Sequence, residues 1–461
     1  MAGLLADESP STGRPSRVVP QWSPGWLPNP GEARRLLDHS GEGRAGSAPA
    51  SRSPRRAHHN PPGESVCNHV PVFNPLPPDR CPGVLRPHLA ADGALLRIRV
   101  PGGRIGRRGL AALSRIAADF GDGDLHLTSR GNVQIRGIST TPEGEIPNDL
   151  SDSVAAAGFL PSFAHERVRN IVASPLSGIV GGRMDVRPVV AALDRALCAD
   201  PRLAELPGRF LFGLDDGRAD LAEMPCDLGA RAVDGESAQL RVGALPGPVV
   251  AREEIASALT ALALRFLDLR ADLWNVRRLP GKGRELLDGA EFPESSGDTG
   301  ETGGPDAEKR RRNGRHGILP VSDSEAAVAG SVPLGILTPA LQRALLDSAG
   351  HGSETIVLTP WRGAVVAPLG ADRAERAAAS LAAAGLVLDP DSPWSRVSAC
   401  VGSPGCSRSR GDTRSRAADL VRRLETTDVR DDGLPVHVAG CERACGAPHT
   451  PHTRILIGSS T

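Results

Sequence analysis

Apolar and polar positions alternate along Leu95-Leu96-Arg97-Ile98-Arg99-Val100, the period of a half-buried strand, and Pro101-Gly102-Gly103 closes the run. A helical period follows over 109–120, then a second strand-like run over 125–137. Further along, 331–336 reads as a strand, 339–348 as a helix and 355–366 as a second strand run. Leu127-Thr128 followed by Arg130-Gly131 in the first copy, and Leu358-Thr359 followed by Arg362-Gly363 in the second, mark an internal repeat. Two strand-helix-strand units of this kind predict a pseudo-symmetric α+β platform. Nearer the C-terminus, 412–425 places Ala417, Leu420, Val421 and Leu424 on one helical face, and 434–438 reads as a short buried strand.

Two stretches lack any such period. Residues 1–66 are rich in Pro, Gly, Ser and Arg, and 285–317 are first acidic, then basic at Lys309 to Arg312. Neither can bury enough apolar area to offset its ordering entropy, so a disordered extension and a disordered linker are expected. Lys and Arg together number 54, as do Asp and Glu, so the net charge is zero and gives no electrostatic case for nucleic acid. No run of 18 apolar residues predicts a membrane span, and no export signal is read, so a cytoplasmic protein is expected.

The chemistry is carried by four cysteines. Cys400 and Cys406 form C-x5-C, and Cys441 and Cys445 form C-x3-C after a spacer of 34 residues. Soft thiolates from two loops suit an iron-sulfur cluster or zinc. The Gly-rich surroundings let backbone N–H groups approach sulfur, which favours the cluster, and C-x5-C is loose for a zinc knuckle. Eight cysteines in 461 residues do not make a disulfide scaffold. Cys198 lies in an apolar helical run and reads as core; Cys81, in Cys81-Pro82-Gly83, reads as a structural turn residue. There is no Tyr, so no catalytic tyrosine.

The double cysteine motif behind a duplicated platform resembles the nitrite and sulfite reductase superfamily, whose members couple a 4Fe-4S cluster to siroheme. Arg80-Cys81-Pro82-Gly83, Pro101-Gly102-Gly103, Leu127-Thr128-Ser129-Arg130-Gly131-Asn132 and His437-Val438-Ala439-Gly440-Cys441 are most similar to its precorrin-3B synthase branch. The resemblance covers 80–284 and 318–461. It implies ferredoxin-like halves at 80–150 and 318–370, a nitrite/sulfite reductase-type α/β domain at 151–284 and a C-terminal 4Fe-4S domain at 371–461. It also implies Cys400, Cys406, Cys441 and Cys445 as cluster ligands, with Cys445 bridging to the haem iron if siroheme is present.

A tetrapyrrole carries a rim of carboxylates, which guanidinium forks meet bidentately. The resemblance implies Arg99, Arg130, Asn132, Arg136, Arg169 and Arg209 as tetrapyrrole-binding residues, with Arg99, Arg169 and Arg209 catalytic; Arg130 and Arg136, six apart on one strand run, would share a face. In the reductases two arginines and two lysines build the anion pocket. Here Arg209 replaces the first lysine and Leu211 the second, which implies a large, partly apolar substrate over a small oxyanion. The implied reaction is oxygen-dependent hydroxylation of precorrin-3A with lactone formation, in aerobic cobalamin biosynthesis. Its electrons would come from NADH with a reductase or from ferredoxin. The alternatives are a siroheme sulfite or nitrite reductase and a non-catalytic iron-sulfur tetrapyrrole carrier. A cluster saturated by four thiolates leaves no site for oxygen, so a second iron centre is required, siroheme or non-haem iron. For the latter, His126, His165 and Glu166 are the candidate ligands.

Overall fold

The first alternating run becomes the sheet of the first half: β1 (His88–Ala90), β2 (Gly93–Ile98), β3 (Leu125–Leu127) and β4 (Val133–Ile138), in the order β1-β2-β4-β3. Helix α1 spans Gly106–Phe120, three residues earlier than the period suggested, and buries Leu110, Leu113, Ile116 and Ala117. The run 125–137 is not one strand. Thr128 donates its N–H to Asn132 O (2.9 Å), its Oγ1 accepts the Asn132 N–H (3.1 Å), and Gly131 turns at φ 67°. That closed turn puts Arg130 in a loop and Arg136 in a strand, so the two do not share a strand face. Helix α2 (Asn148–Ala156) ends the half. The structure describes residues 79, 81–287, 315–350, 355–426, 434–448 and 450–458 in a computed structural model, all within the unit 74–461. The expected extension 1–66, Cys67 and most of the expected linker lie outside the described residues.

An α/β domain follows. β5 (Ile171–Ala173), β6 (Phe212–Asp215) and β7 (Leu228–Ala232) are parallel, and β8 (Ser237–Val242) and β9 (Leu245–Ala251) add to them antiparallel. α3 (Arg187–Ala199) and α4 (Ile255–Leu269) cover the sheet around Phe210, Phe212 and Phe266. Leu286 and Leu287 are buried in the same core, so the domain runs past the boundary at 285 expected for the linker, because two leucines give it apolar area to bury.

The second half contains β10 (Gly317–Pro320), β11 (Glu325–Ser331), β12 (Ile336–Leu337), α5 (Pro339–Ala349), β13 (Thr355–Leu358), β14 (Gly363–Gly370) and α6 (Ala371–Ala383). The strand expected over 331–336 lies earlier, as β11. Pro333 has no N–H for a ladder, and Leu334 and Gly335 turn at φ 55° and 72°, as Gly102 and Gly103 do at 64° and 71°. The halves then exchange edges: β12 pairs with β3 (Ile336↔His126, Leu337↔Leu125), and Arg104 pairs with Val357 of β13. One core runs through both, from Leu110 and Leu113 to Leu341, Leu345 and Ile356. Ala374, Ala377, Ala378 and Leu381 of α6 belong to it, and Val387 still bridges Ser331, so the second half extends beyond 370.

The C-terminal segment is a small parallel sheet, β15 (Val397–Ala399), β16 (Val436–Ala439) and β17 (Thr453–Leu456), backed by α7 (Thr413–Thr426). Val397, Ala417, Val421 and Val438 form its core. No helix among the described residues is long and apolar enough to cross a membrane.

Candidate cofactor and substrate site

Parallel pairing of Val397 with Val436 and Ala399 with Val438 brings the C-terminal ends of β15 and β16 side by side. Cys400 follows the first strand and Cys441 the second by two residues, so both loops leave one sheet edge, where open parallel sheets bind ligands. The Cys400 N–H donates to Val438 O (3.1 Å), and the Cys400 thiol accepts the Gly440 N–H at 3.3 Å. Thr413, at the start of α7, donates its hydroxyl to Cys400 O (2.6 Å) and ties the helix to the first loop. Burial pushes the Cys445 thiol up; Arg443 opposes this, while Cys400, Cys441 and Cys406 each push it further. Four free thiols are therefore close enough for three of them to act on the fourth through charge.

Their spacing separates the two metal readings. A tetrahedral zinc with Zn–S near 2.3 Å draws its sulfurs to about 3.8 Å apart. Among the described residues, the groups of three or more donors within 4.8 Å of one another are Asp122, Asp124, His126 and Asp215, Asp216, Asp220. No three of the four thiols are among these groups, so the set is not gathered for one ion, and with a backbone N–H on sulfur it fits a multi-iron cluster.

The arginines divide into two kinds. Arg136 makes a fork to Asp92 (3.0 and 2.9 Å) and donates to Gly405 O (3.1 Å); Arg169 makes one to Asp194 (both 2.7 Å). Contrary to the expectation of open ligand forks, these two are closed on carboxylates, because a buried guanidinium is satisfied by a paired acid. Arg99, Arg130 and Arg209 are not closed in this way. Arg99, 2% exposed, donates to Arg167 O (3.2 Å) and Gly208 O (3.4 Å), and its Nη1 is buried with no hydrogen-bond partner. Arg130 donates to Arg209 O at 3.1 Å. Burial, with Arg97 and Arg130 nearby, pulls Arg99 down to about 9. Burial, with Arg130 and Arg209 nearby, pulls Arg97 down to about 10. Arg97 escaped the sequence reading, although its place two residues before Arg99 puts both on one strand face.

Asn132 is a clip and does not face a ligand: its Oδ1 accepts the Val100 N–H (2.9 Å) and its Nδ2 donates to Asn170 (3.2 Å). The Cys81 thiol is buried among these arginines; desolvation and Asp79 raise it, and Arg209 opposes them. Leu211, 2% exposed, packs with Val172 and Leu221. His126, His165 and Glu166 are not brought together as a triad. His126 Nε2 bonds Asp122 (2.8 Å), His165 sits between Ser162 and Asp200 O, and Glu166 accepts the N–H groups of Val84 and Leu85.

A separate cavity of about 260 Å³ opens where the second half meets the C-terminal segment, with Ser129 of the first half and 219–224 of the α/β domain also lining it. Its cations are Arg315, Arg362 and Arg396, none of them singled out from the sequence as a ligand residue. The repeat could have pointed there. Thr359 bonds Gly363 as Thr128 bonds Asn132, N–H to O (2.9 Å) and Oγ1 from N–H (2.8 Å), and Arg362 turns at φ 59° where Gly131 turns at 67°. In space, then, Trp361 stands where Arg130 does and Arg362 where Gly131 does, one position off the Arg-Gly alignment read from sequence.

This architecture is that of a known class. The family model of the nitrite/sulfite reductase ferredoxin-like half domain matches residues 88–144, and the fold is shared with the NirA protein of Mycobacterium tuberculosis. That likeness has a TM-score of 0.60 at 21% identity over 77% of this chain and 69% of that one. The chain is thus similar to the nitrite and sulfite reductase superfamily of oxidoreductases. Within it, the chain is similar to a precorrin-3B synthase from Sinorhizobium sp, 26% identical over 82% of this chain and 80% of that protein. It is also similar to sulfite reductase [ferredoxin] 2 of Mycolicibacterium paratuberculosis, 27% identical over 77% and 68%.

Proposed function

We propose that the chain is an iron-sulfur oxidoreductase of the precorrin-3B synthase type, hydroxylating a polycarboxylate tetrapyrrole with dioxygen. One oxygen atom enters the product as hydroxyl and the other leaves as water, with two electrons and two protons supplied from outside. A ferredoxin-type donor suits a chain similar to a ferredoxin-named reductase. The observation that carries the reading is Arg99, buried with an unpartnered Nη1 beside the half-buried Arg97 and Arg130 and the exposed Arg209: cations that repel one another are stabilised when carboxylates arrive.

Cys400, Cys406, Cys441 and Cys445 would hold a 4Fe-4S cluster that, when bound, passes electrons singly to a second iron centre, siroheme or non-haem iron. Arg99, Arg130 and Arg209 receive rim carboxylates. Arg169, through Asp194, fixes α3 against β5 and is a positioning residue, and Arg136 fastens the first cysteine loop to the platform at Gly405. Leu211 gives the α/β domain an apolar contact where a small oxyanion would need a cation.

The test is conversion of precorrin-3A under air with a reductant, after iron, sulfide and extracted haem are quantified. Oxygen-dependent change in the tetrapyrrole spectrum is expected; reduction of sulfite or nitrite without it would overturn the reading in favour of a reductase. Arg99→Met adds a second readout. The substitution removes the charge together with the bonds to Arg167 O and Gly208 O, so folding of the variant is checked by circular dichroism. Tetrapyrrole binding should weaken at least tenfold, the loss of one charge-assisted contact.

A further inference from the structure

The cavity beneath the second half is not the arginine group of the first, and nothing in the reaction above uses it. Three observations bear on what it holds. Arg362 is kept in the left-handed region at φ 59°, where a residue with a Cβ is strained and its repeat counterpart is glycine. Its Nη2 donates to Gly446 O (2.8 Å), and among the described residues it forms no ion pair. A half-buried cation on a strained backbone, facing a cavity, is a group placed for an anion. Next, the Arg315 guanidinium lies 3.6 Å over the Trp361 ring, a stack that holds its fork flat. Finally, Trp394 and Arg396, from the turn that leads into β15, supply a second indole and a third guanidinium.

We propose that this cavity is a second binding site, for a small planar carboxylate such as an arene- or pyrrole-carboxylate. Arg362 takes the carboxylate and the ring lies against the indoles. About 260 Å³ admits one substituted ring. Two acids, Asp220 and Glu223, also line the cavity. Burial and the nearby Asp215 raise Asp220 to about 6, and in its protonated form it donates a hydrogen bond to carboxylate. Gly446 accepts from Arg362 and adjoins Cys445, so the ligand sits one residue from the cysteine loop. The inference does not depend on the proposed activity.

The test uses the full chain. Benzene-1,3,5-tricarboxylate and benzoate are titrated by calorimetry at pH 6, with indole fluorescence followed in parallel. Saturable binding is expected, with fluorescence change from Trp361 and Trp394. Cyclohexanecarboxylate, with the same charge and no planar ring, should bind at least tenfold more weakly than benzoate. Arg362→Gly removes the fork while relieving the left-handed strain, so it should fold, checked by circular dichroism, and bind at least tenfold more weakly. Trp394→Leu should reduce affinity and the fluorescence change together. Absence of binding, or affinity unchanged in both variants, overturns the site. Inorganic phosphate competing as strongly as the tricarboxylate overturns the planar carboxylate class.

Discussion

Single side chains decide what this scaffold can bind, and their surroundings decide whether they are free to do so. Asp220 accepts the Ser174 hydroxyl at 2.6 Å, and burial followed by the Asp215 charge raises its carboxyl to about 6. Because the folded value lies above the unfolded one, the folded state holds a proton that the unfolded chain releases. Stability is therefore lost as pH rises from about 4 through 6 and is level above that. Asp220→Asn keeps the Ser174 acceptor and removes the titration. Urea unfolding of both proteins from pH 4 to 7 should show the variant gaining roughly 3 kcal/mol on the wild type across that window. A difference independent of pH would mean that Asp220 is solvated. At this scale the sequence was informative about residue type and weak about partners. Arg99, Arg136 and Arg169 look alike in a chain of letters. Asp92 and Asp194, distant in sequence, close two of them and leave the third open.

Among the elements, the cysteine loops were the most legible, because spacing on two short strands is a local property. The helix at 412–425 appears as α7 (Thr413–Thr426), and the strand at 434–438 as β16 (Val436–Ala439). What spacing could not reveal was how tightly the loops meet. A Cβ at Gly440 would lie 1.9 Å from Ser409 Oγ, while the Gly440 N–H already bonds the Cys400 thiol. Gly440→Ala should then destabilise the C-terminal segment by about 1 to 3 kcal/mol and lower the iron and sulfide retained on purification. The thermal transition and metal content of the variant report this, and normal iron loading would show that the two loops do not share a cluster. Strand limits were less legible. The runs 125–137 and 331–336 both contain turn residues whose effect depends on what they bond. Thr128 with Asn132 in one, and Pro333 with Gly335 in the other, break what period alone joined.

For the whole molecule, the consequence of duplication is a shared interior. Leu345 is fully buried in the core that joins α1 and α5, and each half lends the other an edge pairing. Leu345→Ala should cost about 2 to 5 kcal/mol and destabilise both halves in one transition. Hydrogen exchange at β2 in the first half and β14 in the second should accelerate together; acceleration confined to β14 would mean that the halves unfold separately.

The order of residues by itself determined the repeat, the α+β class and the four thiols, since each follows from local periodicity or from chemistry carried by one residue type. Tertiary structure decided which arginines stay open and where the second copy departs from the first. It set Trp361 at the turn position that Arg130 holds in the first copy and put Arg362 over a cavity lined from four parts of the chain. The physical reason is that a charge is defined by its partner and its solvation, and both come from residues far away in sequence.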